Sequence, residues 1–328
     1  MAPLFVRSGF LGYVLFGALA ACSSSTAPTT TVGHPRSGAV FATPTLGGQP
    51  YGVAISPSGA VLVAQVFGGL VTRFDLPDTM PDVSVTSGLQ PVHVAVNPAG
   101  TRAYVVNQAG QAVRVINLGT STTIDSIRLT NDGFNIAVAP SGQRVYVTTS
   151  DGRVYVIDAA SNTIVDSMRV GSAANGLAFS PGGDRLYVSS RDAGTVTVFS
   201  TQTDAPLDTI TTSGMPQRLV VSTDGRKLFV ANELVGVNVV NLPAGTLGPN
   251  IPLDGSAYGL GLSPDGTQLY ATDPLSGKIF IVDAATNHLL STLTVDGVPR
   301  NVAFDVAGTT AVVTDGGDYG AGRVIFIH

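Results

Sequence analysis

Short runs in which apolar residues alternate with small or polar ones recur along the chain, and each run stops at a polar, glycine-containing turn. Residues 259–263 (GLGLS) alternate bulky and small side chains with period two, the pattern of a strand whose two faces meet different neighbours. Ser263-Pro264-Asp265-Gly266 follows; the proline presets φ at the first turn position, and the glycine accepts a positive φ without a Cβ clash. Residues 268–272 (QLYAT) and 278–283 (KIFIVD) are again β-rich, and Asp283 opens a DAATN turn in which its carboxylate can accept backbone N–H groups. A fourth run, from Leu289 to Val295, ends at Asp296-Gly297, where the pattern begins again. The four runs predict strands a to d of one repeating unit.

The glycine of the a-to-b turn recurs as Gly59, Gly100, Gly142, Gly183, Gly225, Gly266 and Gly308, at intervals of 41 or 42 residues. A period of this length holding four strands and no helical pattern predicts an all-β fold, a seven-bladed β-propeller of four-stranded antiparallel blades. Strand a supports it: Ala54, Ala95, Ala137, Ala178, Gly261 and Ala303 share one register, with only Val220 larger, and bulky residues flank them. Small side chains there are expected where seven innermost strands crowd around one axis. The blades run 47–85, 86–129, 130–170, 171–212, 213–253, 254–295 and from 296 onward. Residues 39–46 (AVFATPTL), followed by Gly47-Gly48, match strand d without an a, b or c of their own, while Val324 to His328 aligns with strand c of blade 7. The N-terminal segment is therefore expected to complete blade 7 and close the ring, with Pro44 tolerated on its outer edge.

The b strands read YVVN from Tyr104, YVTT from Tyr146, YVSS from Tyr187, FVAN from Phe229 and YATD from Tyr270. With the SPxG-type turn before them and strands such as VYVID from Val154 and IFIVD from Ile279 after them, they resemble the YVTN family of seven-bladed propellers, the YncE-like group, over about 39–328. The resemblance implies the fold and no single activity, since related propellers include binding modules, surface proteins and enzymes. Departures from the pattern are Val63 and Val312 in place of the tyrosine in blades 1 and 7, and Thr223 and Val306 in place of the turn proline in blades 5 and 7.

Composition narrows the function classes. With 12% charged residues, 44% hydrophobic residues and 39 glycines, the chain suits a turn-dense β protein; the absence of Trp removes the Trp-Asp signature of WD40 blades. A formal charge of −5 offers nothing to nucleic acid, which is not expected as a partner. Residues 1–21 read as a secretory signal, with Arg7 the lone charge before an apolar core from Gly9 to Leu19. Leu19-Ala20-Ala21-Cys22 resembles the lipobox of bacterial lipoproteins, which implies a diacylated Cys22 at the mature N-terminus and a membrane partner through the lipid. The alternative is ordinary cleavage after Ala18-Leu19-Ala20 and a soluble exported product. Cys22 is the only cysteine, so no internal disulfide is expected. Residues 22–38 form a Ser/Thr/Pro-rich tether, and 39–328 the propeller. The expected location is the bacterial cell envelope, either the outer membrane facing the periplasm or the cell surface, as a monomer.

In propellers the d-to-a and b-to-c loops gather on one face around the channel, so candidate ligand-binding residues are sought where strand a begins. These are Tyr51, His93, Asn135, Asn175, Arg218, Tyr258, Arg300 and Asn301. Guanidinium forks match carboxylate or phosphate, imidazole can shuttle a proton, and tyrosine can stack on a ligand. The plainer reading is a hydrated channel rim. The four histidines, His34, His93, His288 and His328, are spread over tether, rim, opposite face and C-terminus, and no G-x-S-x-G elbow occurs. The b-to-c loop of blade 7, Thr314 to Gly322, is longer than its counterparts; Asp315 and Asp318 there are weak candidates for Ca²⁺, against a glycine-rich loop without metal. No other cofactor is expected.

Two functions follow. One is a non-catalytic lipoprotein whose propeller is a platform for a protein, glycan or small ligand. The other is a propeller hydrolase or lyase, lactonase-like, using His93 or a metal held by Asn135, Asn175 and Asn301, which match propeller-lactonase ligands by residue type only. A carboxylate base within the ring is missing from the pattern, which weighs against the enzyme.

Overall fold

The computed structural model describes residues 38–212, 214–317 and 322–328. Among them the chain forms seven four-stranded antiparallel sheets, each ordered a-b-c-d; in blade 3 the strands are Gly133–Val138, Arg144–Thr149, Arg153–Asp158 and Thr163–Arg169. Each strand a packs beside that of the next blade, and the last, Pro299–Phe304, packs beside the first, Pro50–Ile55. The fold is a closed seven-bladed propeller.

Closure uses the N-terminal segment. Val40–Ala42 pairs antiparallel with Arg323–Ile327 as the fourth strand of blade 7. Ala39 N donates to His328 O at 3.1 Å, His328 N returns a bond to Ala39 O at 2.9 Å, and Leu46 N donates to Gly322 O at 2.7 Å. The Leu46 side chain is buried in a cluster with Val324 and Phe326, and the Phe41 ring stacks on His328 at 3.8 Å. The leader, Cys22 and the tether up to residue 37 lie outside the described residues.

All seven a-to-b glycines have φ between 66° and 87°, as the turn requires. Five of them also meet the preceding blade: a Cβ on Gly100 would lie 3.3 Å from Pro57 Cδ, and one on Gly183 would lie 3.2 Å from Pro140 Cγ. Pro57, Pro98, Pro140 and Pro181 each pack under the next blade's turn glycine, and Thr223, replacing the proline of blade 5, lies under Gly266. The small residues of strand a lie where blades meet: Ala95 packs against a core cluster shared by blades 2 and 3, and a Cβ on Gly261 would come within 2.8 Å of Val302 Cγ1 of blade 7. One register is corrected. Ala95 pairs with Tyr104 and Ala137 with Tyr146, whereas Ala54 pairs with Leu62, so Leu62 and not Val63 holds the tyrosine position of blade 1. The turn after Gly59 is one residue shorter than in the other two blades.

The polar letters of the b-strand motif have structural duties. Thr148 Oγ1 accepts from Asn135 N (3.0 Å) and donates to Asn175 O of the next blade (2.9 Å). Ser189 repeats this with Gly176 N and Gln217 O (both 2.7 Å), Thr272 with Gly259 N (2.9 Å) and Arg300 O (2.6 Å), and Thr314 with Asn301 N (3.1 Å) and Tyr51 O (2.6 Å). One hydroxyl therefore satisfies a backbone donor in its own blade and a backbone acceptor in the next, joining blades 3 to 4, 4 to 5, 6 to 7 and 7 to 1. The following residue fastens the d-to-a loop: Asp273 accepts from Ser256 N at 3.1 Å, and Asp315 from Val298 N at 2.6 Å.

Candidate functional site

The hydroxyl bridges hold the starts of the a strands around the channel, where a cavity of about 400 Å³ opens among the d-to-a and b-to-c loops. Its lining falls into three sectors. Tyr51 and Tyr258 bring their hydroxyls together, with rings edge-on at 6.4 Å, and the Arg300 guanidinium lies over both rings, 5.5 and 5.6 Å from their centroids. Val92 and Phe134 supply an apolar wall. On the side of blades 4 and 5, Asn175 Nδ2 donates to Gln217 Oε1, Gln217 Nε2 donates to Glu233 Oε1, and Glu233 Oε2 pairs with Arg191 Nη2 at 3.0 Å.

Of the eight rim candidates, Tyr51, Asn175, Arg218 and Tyr258 line this cavity. The other four do not line it: His93, Asn135 and Asn301 stand one residue further along strand a than Tyr51 does in its own, where neighbouring residues point to different sides, whereas Arg300 stands at the Tyr51 position. Asn135 is buried, with its Oδ1 accepting from Ile136 N at 2.8 Å. Asn301 is buried; its Oδ1 accepts from Arg218 Nε at 3.0 Å, and its Nδ2 donates to Tyr51 O at 2.7 Å. Arg300 is held behind the tyrosine pair, and His93 has its Nδ1 enclosed without a partner. Asn135, Asn175 and Asn301 thus engage separate protein partners. Among the described residues no group of three or more His, Cys, Asp or Glu side chains converges as metal ligands. Asp315 is fully buried, bonded to Val298 N and to Arg323 Nη2 at 2.7 Å, while Asp318 lies outside the described residues.

The ring at the start of strand a holds no carboxylate, but the cavity does: Glu233 and Asp192 line it, both from b-to-c turns rather than from strand a. Arg191 occupies the place of Glu233 one blade earlier. The available signal is the residue after each strand b, namely Val66, Gln108, Ser150, Arg191, Glu233, Pro274 and Gly316, again at intervals of 41 or 42. Val66, Gln108, Arg191 and Glu233 all face the cavity.

Burial and the nearby Arg218 charge hold the His93 imidazole well below its ordinary range, so the neutral form prevails. Burial also pushes the Tyr258 hydroxyl far above its usual range, and Tyr51 adds to the shift. The Tyr258 hydroxyl is therefore a neutral hydrogen-bonding group. The site combines a carboxylate held by a guanidinium, amides, aromatic faces and a buried guanidinium on Arg218, a mixture suited to orienting a small polar molecule.

A family model described as "Lactonase, 7-bladed beta-propeller" matches residues 48–243, more than half of the chain. No curated protein matches. Among solved structures, Kuenenia stuttgartiensis hydrazine synthase is similar, with a TM-score of 0.77 and 20% identity, over 82% of this chain and 93% of that chain. At that identity the likeness concerns the fold alone. The family match and the seven closed blades agree, and the chain belongs to the lactonase family of seven-bladed β-propellers.

Proposed function

We propose that the protein is exported, anchored through a lipidated Cys22, and binds a small polar ligand in the channel-mouth cavity. The observation that carries the binding reading is the division of one cavity of about 400 Å³ into an aromatic, an apolar and a hydrogen-bonding sector. Such a lining distinguishes the ends and faces of a ligand, whereas a hydrated rim has no need of it. The anchor rests on the Leu19-Ala20-Ala21-Cys22 run, and the YVTN-type motifs support a likeness to the YncE-like group. Calorimetric titration with a panel of sugars, sugar acids and lactones tests the binding. Saturable binding that weakens about tenfold in Glu233→Gln is expected, the size of a lost charge-assisted hydrogen bond. Absence of saturable binding across the panel would count against the cavity as a ligand site.

Family membership and the Glu233 carboxylate favour a second reading, hydrolysis of a lactone in the same cavity. Glu233 would take a proton from a water attacking the carbonyl carbon; the ring C–O bond then breaks, and the leaving alkoxide is protonated to give the hydroxy acid. Proton release from lactones in weak buffer, above the spontaneous rate, should be faster with the wild type than with Glu233→Gln. Equal rates would leave the binding reading alone.

A further inference from the structure

Large apolar side chains left exposed are spread unevenly over the propeller. Strand d is the outer edge of each blade, and in five blades its pairing with strand c is broken near its start by a β-bulge. The extra residue is Phe41, Ile124, Val165, Leu207 or Leu290, each apolar and between 42% and 55% exposed. A bulge guards an edge strand against pairing with another chain, and a polar residue in it serves that purpose as well as an apolar one. Edge protection thus explains the bulges and not the side chains that occupy them. In the two remaining blades Met80 and Leu247 are exposed at the same end, beside the c-to-d turn. At the opposite end, around the cavity mouth, Phe67, Leu89, Leu234 and Leu275 are comparable; among the described residues blades 3, 4 and 7 offer none there.

The apolar rim lies at the end where the N-terminal segment joins the propeller. Ala39 pairs with His328 at the finish of strand c of blade 7, so residues 23–38 lead to this end, and fully extended they span at most about 55 Å from Cys22. We infer that the propeller rests on a lipid surface with this end, its apolar rim in the headgroup layer and its cavity mouth turned away. The inference builds on the proposed anchor at Cys22 and adds the orientation of the propeller. A rim carried by all seven blades presents an even edge to a flat surface, whereas a protein seated on the side would touch one or two blades. The charges of this end select the kind of lipid. Asp78, Asp184 and Asp224 are exposed on its turns, while Arg102, Arg144 and Lys227 are engaged by carbonyl groups and Asp204 of the next blade. The matching surface is therefore zwitterionic rather than anionic.

Residues 23–328 without lipid, which keep the closing strand and all seven blades and contain no cysteine, separate the rim from the anchor. This chain should co-sediment with phosphatidylcholine vesicles. Ile124→Ser, Val165→Ser, Leu207→Ser and Leu290→Ser together should lower its partition at least about fivefold. Phe67→Ser, Leu89→Ser, Leu234→Ser and Leu275→Ser together should leave it unchanged, and mixing in anionic lipid should weaken it. A second measurement needs no loss of binding: a polarity-sensitive fluorophore on Leu207→Cys should shift to the blue on vesicles, and one on Leu275→Cys should not. No sedimentation, equal partition of the two variant sets, binding that rises with anionic lipid, or equal shifts at the two probes would overturn the rim as the docking face. A dimer seen without vesicles and lost in the rim variant would assign the rim to a second copy and overturn it equally. Fatty-acid labelling of Cys22 reads the anchor independently, so the rim can fail while the anchor stands.

Discussion

His93 is placed where burial and the Arg218 guanidinium both disfavour its charged form. Its folded pKa lies below the ordinary 6.5, so between those values the unfolded chain binds more protons than the folded one. The stability contribution is full above 6.5 and is lost as pH falls below it. Turn aspartates such as Asp158 and Asp283, lowered from 3.8 by hydrogen bonds from their own turns, act only at still lower pH. Melting temperature should therefore decline from about pH 7 to pH 5 more steeply in the wild type than in His93→Gln. Parallel curves would show that His93 is not the group responsible. At the same scale, Tyr51, Asn175, Arg218 and Tyr258 were legible in the sequence because they stand at fixed distances from repeating turns. Glu233 and Arg191 were not, because the residue after strand b has no common type: Val66, Ser150, Pro274 and Gly316 share its position. The fate of Arg218, buried on Asn301 across an intervening blade, depends on packing that strand spacing does not express. Replacing it should lower stability as well as affinity, unlike the loss of an exposed arginine.

Strands and turns were the most legible elements, since alternation and turn chemistry are local. The hydroxyl bridges between blades were less so, because Thr148, Ser189, Thr272 and Thr314 share their register with Ala64, Val106 and Ala231. Thr314→Val is expected to cost about 1–3 kcal/mol in denaturant unfolding, as it leaves Asn301 N and Tyr51 O without that partner in a buried setting. A change within about 0.3 kcal/mol would mean that the backbone finds other partners. The closing strand can be tested as a whole element. Removing 39–46 should lower the melting temperature markedly, with Leu46 alone contributing about 1.5–3 kcal/mol of burial, whereas removing 23–38 should leave it unchanged. Similar melting of the two truncations would speak against closure by the N-terminal segment.

For the whole molecule, the repeat of 41 or 42 residues made the blade number readable, and the alignment of AVFATPTL with strand d made the closure readable. What a ring of seven similar blades binds is carried by the departures from its repeat, and the cavity gathers those departures from several blades at one end of the channel. The proposed placement in the envelope rests on Cys22: fatty-acid label should enter the wild-type chain and be absent from Cys22→Ala, and equal incorporation would refute the anchor. The ligand-binding account is tested most directly by an electron-density map of the wild-type protein crystallised with gluconate. The account predicts ordered density in the cavity between the tyrosine pair and the Asn175–Gln217–Glu233 chain. Density for water alone in that cavity, with gluconate absent or bound on an outer surface, would contradict it.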